Sequence, residues 1–214
     1  QEYREATVYK LLADYRKANH LHFSISQGFN QFEIHVQVPA GAPQLDTIRT
    51  LLLLLKKELN FPFRIGAGVS PSYERSRYFA EHALMEADRY GRNDAFFMDE
   101  EDKITGPLSA DNQLMYNYSN EKALAFAREN GINETNILKL ISIFEQDEEQ
   151  LISSHALSEK LGITMRSASR ILAKLYDLDM IRFRDTAPDT KTPRQGRPSH
   201  YYHFNPEAFR EALL

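Results

Sequence analysis

The sequence predicts an α+β protein in two parts: an α/β sandwich over residues 1–108 and a three-helix unit closed by a β-hairpin over 132–214, joined by a linker and helix over 109–131. Three observations predict it. Helix-like and strand-like periodicities alternate through the first half, and a cap, helix, glycine, cap, helix pattern runs through 153–178. Near the end, the basic stretch Arg194-Gln-Gly196-Arg197-Pro198 interrupts two strand-like runs.

From the amino terminus, 2–18 carries Val8, Leu11, Leu12 and Tyr15 at helical spacing. Residues 22–26 and 31–38 alternate in polarity about Gln27-Gly28-Phe29-Asn30, which predicts a β-hairpin. A loop over 39–43, a helix over 45–59, a strand over 63–69, a helix over 71–90 stopped by Gly91, and a last strand over 95–98 follow. Residues 104–108 close this part and 109–118 read as linker. Asn120 is placed to cap a helix through Glu129 that ends at Asn130-Gly131. Ala123, Leu124, Ala125, Phe126 and Ala127 make that helix apolar around much of its circumference, so its own domain or a second subunit must cover it.

In the second part, Ile137, Leu138, Leu140, Ile141 and Phe144 mark a helix over 134–144. Ser153 or Ser154 caps a short helix through Leu161, Gly162 makes a turn, and Thr164 caps a helix to about Leu178. There Ala168, Ile171, Leu172 and Leu175 form an apolar stripe, which leaves Arg166, Ser167, Ser169, Arg170 and Lys174 for solvent or a nucleic-acid groove. Residues 180–184 and 200–204 read as strands flanking an exposed loop over 185–199. Over about 133–206 this order resembles the winged helix-turn-helix regulators of bacteria. The resemblance implies double-stranded DNA as partner, with Thr164, Arg166, Ser167, Ser169, Arg170 and Lys174 at the major groove and Lys191, Arg194 and Arg197 on the flanking backbone or minor groove. Operators of such proteins are commonly two-fold symmetric, so a homodimer is expected.

Charge supports this locally. Residues 160–204 hold nine Lys/Arg against four Asp/Glu, whereas the whole chain carries −4. Binding confined to one face is expected, because the remaining surface repels a duplex.

Within the first part, Arg64-Ile-Gly-Ala-Gly-Val-Ser70 and Ala83-Leu-Met-Glu-Ala-Asp-Arg-Tyr-Gly-Arg-Asn93 resemble the GGDEF family, the diguanylate cyclase-like fold. On that register the signature hairpin falls on Gly28, Phe29, Asn30, Gln31 and Phe32: the first Gly and the final Phe remain, while the acidic pair is Asn30-Gln31. Amides are poor ligands for the Mg²⁺ that nucleotide condensation requires, so a catalytically inactive domain that senses a ligand or mediates dimerisation is expected. The family's first βα unit has no counterpart before Gln1, and the chain is expected to be a fragment of a longer protein. Gly28, Phe29, Asn30 and Gln31 are the candidate site for a nucleotide-like effector: Gly28 permits close backbone approach, and Phe29 either stacks on a ring or packs against the neighbouring helix.

Two other classes stay open: a nucleotide-processing enzyme resembling the GTP cyclohydrolases, and a protein-interaction module. No cofactor or metal is expected, since His20-x-His22 and His200-x-x-His203 lack a third ligand at a convincing spacing. With 214 residues and 42% hydrophobic content the chain is long enough for real cores, and it has no cysteine, so it carries no disulfide and no thiol nucleophile. Its longest apolar run, 51–55, is far too short to span a membrane, and a cytoplasmic location is expected.

Overall fold

The computed structural model describes residues 2–18, 22–37, 44–110, 113–147, 151–184 and 200–214. His20, the loop over 39–43 and the basic residues Lys191, Arg194 and Arg197 lie outside them.

The fold is α+β. Helix α1 (Glu2–Ala18) precedes the hairpin β1 (Phe23–Gly28) and β2 (Gln31–Val36). Then come α2 (Gln44–Glu58), β3 (Ile65–Gly68), α3 (Tyr73–Tyr90), β4 (Ala95–Met98), β5 (Lys103–Gly106) and β6 (Leu114–Asn117). The remaining elements are α4 (Glu121–Glu129), α5 (Glu134–Gln146), α6 (Ser154–Leu161), α7 (Met165–Asp177), β7 (Ile181–Arg184), β8 (Tyr201–Phe204) and α8 (Pro206–Leu213).

Strands β3 to β6 make one sheet in that order, the first pair parallel and the others antiparallel. This corrects two expectations. The strand over 95–98 is not the last one, since β5 follows where 104–108 was expected to close the first part, and the stretch read as linker over 109–118 contains β6. Alternation explains the second: Leu114 and Tyr116 are buried while Met115 and Asn117 face out, a pattern only four residues long that polar neighbours obscure. Among the described residues the hairpin β1–β2 forms a separate two-stranded sheet.

Helix α3 lies on one face of the sheet. Its approach is set by Gly66 and Gly68, where an added Cβ would come within 2.2 Å of the Ala80 carbonyl oxygen and 2.4 Å of the Ser76 carbonyl oxygen. On the opposite face Leu45, Ile48 and Leu52 of α2 pack with Ile65, Ala67 and Phe97.

One apolar cluster runs from Phe79, Ala83, Phe96 and Met98 through α4 and α5 into α6, α7 and the β7–β8 pair. The boundary expected at residue 108 therefore falls inside a continuous core. Polar contacts tie the same halves together: Glu86 on α3, fully buried, accepts from the Tyr116 hydroxyl at 2.9 Å and faces the Lys139 ammonium at 3.3 Å. Arg89, bonded to Glu86, also donates to Thr135 at 2.9 Å. Burial pulls the Lys139 amine below its ordinary value against the opposing pull of Glu86, and pushes the Tyr116 hydroxyl well up, with Glu86 adding to the rise.

Four of the five apolar side chains of α4 are buried or half-buried within the chain, and Ala125 is exposed. Ala123 and Ala127 are fully buried, and Leu124 and Phe126 pack on the common core, with α5 and α8 alongside. Helix α8 closes that core by stacking Phe209 on Phe144, ring centroids 4.5 Å apart.

Candidate functional site

Helix α7 is built from a cap and a stripe. The Thr164 hydroxyl accepts from the Ser167 amide at 3.2 Å, which satisfies a donor that the first helical turn leaves open. Just before it, Gly162 ends α6 in the left-handed region at φ 69°, and Ser153, not Ser154, caps that shorter helix. Ala168, Ile171, Leu172 and Leu175 are buried, so the opposite face of α7 turns outward.

That outward face carries Arg166 and Arg170, one helical turn apart. Both are exposed, and among the described residues neither has an ion-pair or hydrogen-bond partner. Two free guanidinium groups at this spacing offer fork-shaped donors to phosphate oxygens or to the acceptor edge of a guanine. The hydroxyls between them are partly used within the chain: Ser167 lies 3.0 Å from Thr164, and Ser169 donates to Ser154 at 2.9 Å.

Lys174 is exposed and is also engaged within the chain. Its ammonium donates to the carbonyls of Asn130 and Gly131 at 2.7 and 2.8 Å. It closes the carboxyl-terminal end of α4, where unpaired carbonyls attract a cation, and sequence periodicity cannot reveal a partner 44 residues away.

The β7–β8 pair adds one residue that sequence reasoning left out. Arg184 stands at the end of β7 opposite Tyr201, exposed, on the same side of the ribbon as Arg182. The strand alternation of Arg182 and Arg184 was the available signal. Arg182 is engaged with Asp179 at 3.5 Å. Lys191, Arg194 and Arg197 lie outside the described residues.

At the other end, the hairpin turns through Phe29 and Asn30, with Asn30 at φ 56°, a conformation asparagine tolerates better than most residues. Gly28, Phe29 and Gln31 line an open groove of about 530 Å³ against α3; Asn30 is not among its lining residues. Phe29 is 84 % exposed, which corrects the expectation that it packs on a helix. An added Cβ at Gly28 would find nothing nearer than 3.9 Å, so the turn itself does not demand a glycine there.

Among the described residues no three His, Asp or Glu side chains gather to hold a metal ion. Among them, too, no helix is long and apolar enough to cross a membrane. No family model, no curated protein and no solved structure matches the chain.

Proposed function

We propose that the chain is a sequence-specific DNA-binding transcriptional regulator of the winged helix-turn-helix type, acting in the cytoplasm as a homodimer. The observation that carries this reading is the pair Arg166 and Arg170, exposed and without partners among the described residues, on a capped amphipathic helix. On a chain of net charge −4, two exposed guanidinium groups on one helix face form a local positive surface that can meet phosphates. The helix α7 enters the major groove, and Arg184 with Lys191, Arg194 and Arg197 neutralises flanking phosphates. The part before it is a catalytically inactive GGDEF-like domain that senses a ligand or mediates dimerisation, with Asn30 and Gln31 in place of the family's acidic pair.

The test is selection of bound sequences from a random duplex pool at two salt concentrations. Enrichment of a palindrome supports a dimeric sequence-specific regulator. Weak binding without selection removes the reading and favours a protein-interaction role.

A further inference from the structure

Helix α7 turns one row of side chains straight away from the core. Successive residues advance by about 100° around an α-helix, so Arg166, Arg170, Ala173 and Asp177 line up opposite the buried stripe of Ala168, Ile171, Leu172 and Leu175. All four residues of that outer row are exposed. When the stripe rests in the core, the opposite row goes deepest into a groove, toward the base edges, while positions to either side meet the phosphate walls.

The base-reading groups available on α7 form a narrow set. The helix contains no Asn and no Gln, the side chains that read adenine through a paired donor and acceptor. Its one carboxylate, Asp177, which suits the cytosine amine, is its last residue, at the far end from Arg166. The hydroxyls are committed within the chain: Ser167 lies 3.0 Å from the Thr164 hydroxyl, and Ser169 donates to Ser154 at 2.9 Å. The Lys174 ammonium is spent on the carbonyls of Asn130 and Gly131. Met165 stands to the side of the row, its sulfur 3.3 Å from the Ser158 hydroxyl. What remains at the centre of the first two turns is the pair of guanidinium groups of Arg166 and Arg170, without partners among the described residues. A guanidinium presents parallel N–H donors, and guanine is the base whose major-groove edge carries two acceptors, O6 and N7.

We propose that Arg166 and Arg170 each read one guanine through O6 and N7, so that two guanines mark the half-site and α7 makes no paired readout of adenine. The assignment of bases rests on the DNA-binding reading proposed above. Four residues advance about 6 Å along a helix, which places the two guanines within about two base steps of each other, on either strand. The charge of both arginines also displaces counterions beside the groove, so a salt slope does not separate base contact from phosphate contact, whereas preference among bases does.

7-Deazaguanine, which replaces N7 by a C–H group and keeps Watson–Crick pairing, tests this with the whole chain. Duplexes are first selected from a random pool, and the selected site is then remade with the analogue at each guanine in turn and titrated by fluorescence anisotropy. At either of two neighbouring guanines the analogue should weaken binding about tenfold. In Arg166→Ala the analogue at one of them should change affinity by less than about twofold while the other keeps its full effect, and Arg170→Ala should show the reverse. Three results overturn the proposal: a selected half-site without two such guanines, analogue effects of equal size in the unmodified chain and in both variants, or variants that lose affinity equally on every sequence, which assigns both arginines to phosphates. Under each of these the chain still selects or binds DNA, so the DNA-binding reading survives; a pool from which no sequence is enriched removes both.

Discussion

Glu86 and Lys139 form a buried ion pair that joins the two halves of the molecule: the carboxylate on α3 and the ammonium on α5 lie 3.3 Å apart, with side chains 1 % and 6 % exposed. Removing one partner of such a pair strands the other charge in a poorly polarisable interior. Glu86→Gln leaves Lys139 in that state, and a loss of about 3 kcal/mol in urea unfolding is expected. Lys139→Met should cost less, because Glu86 keeps Tyr116, Thr135 and Arg89 as hydrogen-bond partners. Equal losses for the two variants would show that Lys139 is the principal partner.

Alkaline stability should have a maximum. Burial lowers the Lys139 amine, so the unfolded chain keeps this proton to higher pH than the folded one, and stability rises as pH climbs toward the ordinary amine value of 10.5. Burial raises the Tyr116 hydroxyl, so the folded chain keeps that proton beyond the ordinary 10.0 at which the unfolded chain loses it, and stability falls above about pH 10. Urea midpoints measured from pH 8 to 11 should show the rise followed by the fall. Lys139→Met should reduce the rise, to which the Lys160 amine, also lowered by burial, still contributes, and leave the fall.

Gly66 and Gly28 should respond unequally to alanine. At Gly66 the new Cβ meets backbone of α3 at 2.2 and 2.3 Å, so the helix must shift away from the sheet, with an expected loss of about 3 kcal/mol. At Gly28 it meets nothing within 3.9 Å, and a change within about 0.5 kcal/mol is expected. Thermal unfolding of the two variants checks both.

On the α7 surface, arginine and lysine should separate by readout. Arg166→Ala or Arg170→Ala should weaken DNA binding and reduce the slope of log affinity against log salt by about one for each phosphate no longer neutralised, without lowering stability. Lys174→Ala should do the reverse: it releases the α4 carbonyls, costing about 1 kcal/mol of stability, and leaves the salt slope unchanged. Fluorescence anisotropy over a salt series, with urea unfolding alongside, distinguishes them.

Arg197→Ala tests separately the basic stretch that holds Lys191, Arg194 and Arg197. It should lower affinity and reduce the salt slope by about one if Arg197 neutralises one phosphate. An unchanged slope and affinity would remove that basic stretch from the DNA interface.

The local devices of this fold were legible in the sequence. Asn120, Ser153 and Thr164 cap helices because short polar side chains reach amides two or three residues on, and Gly162 ends α6 because only a left-handed residue turns the chain there. The apolar stripe of α7 and the β1–β2 register follow equally from spacings within one element. What only the tertiary structure decided depends on partners far apart in the chain. Strand β6 is recognisable through its pairing with β5 and its packing on α5, and the continuous core across residue 108 has no local signature. Lys174 looks like a groove-facing cation until Asn130 and Gly131 arrive beneath it. The burial of Glu86 and Lys139 belongs to the same class. Capping and periodicity act over a few residues and are written in the order of side chains, whereas desolvation and edge pairing are set by whichever distant segments the fold brings together.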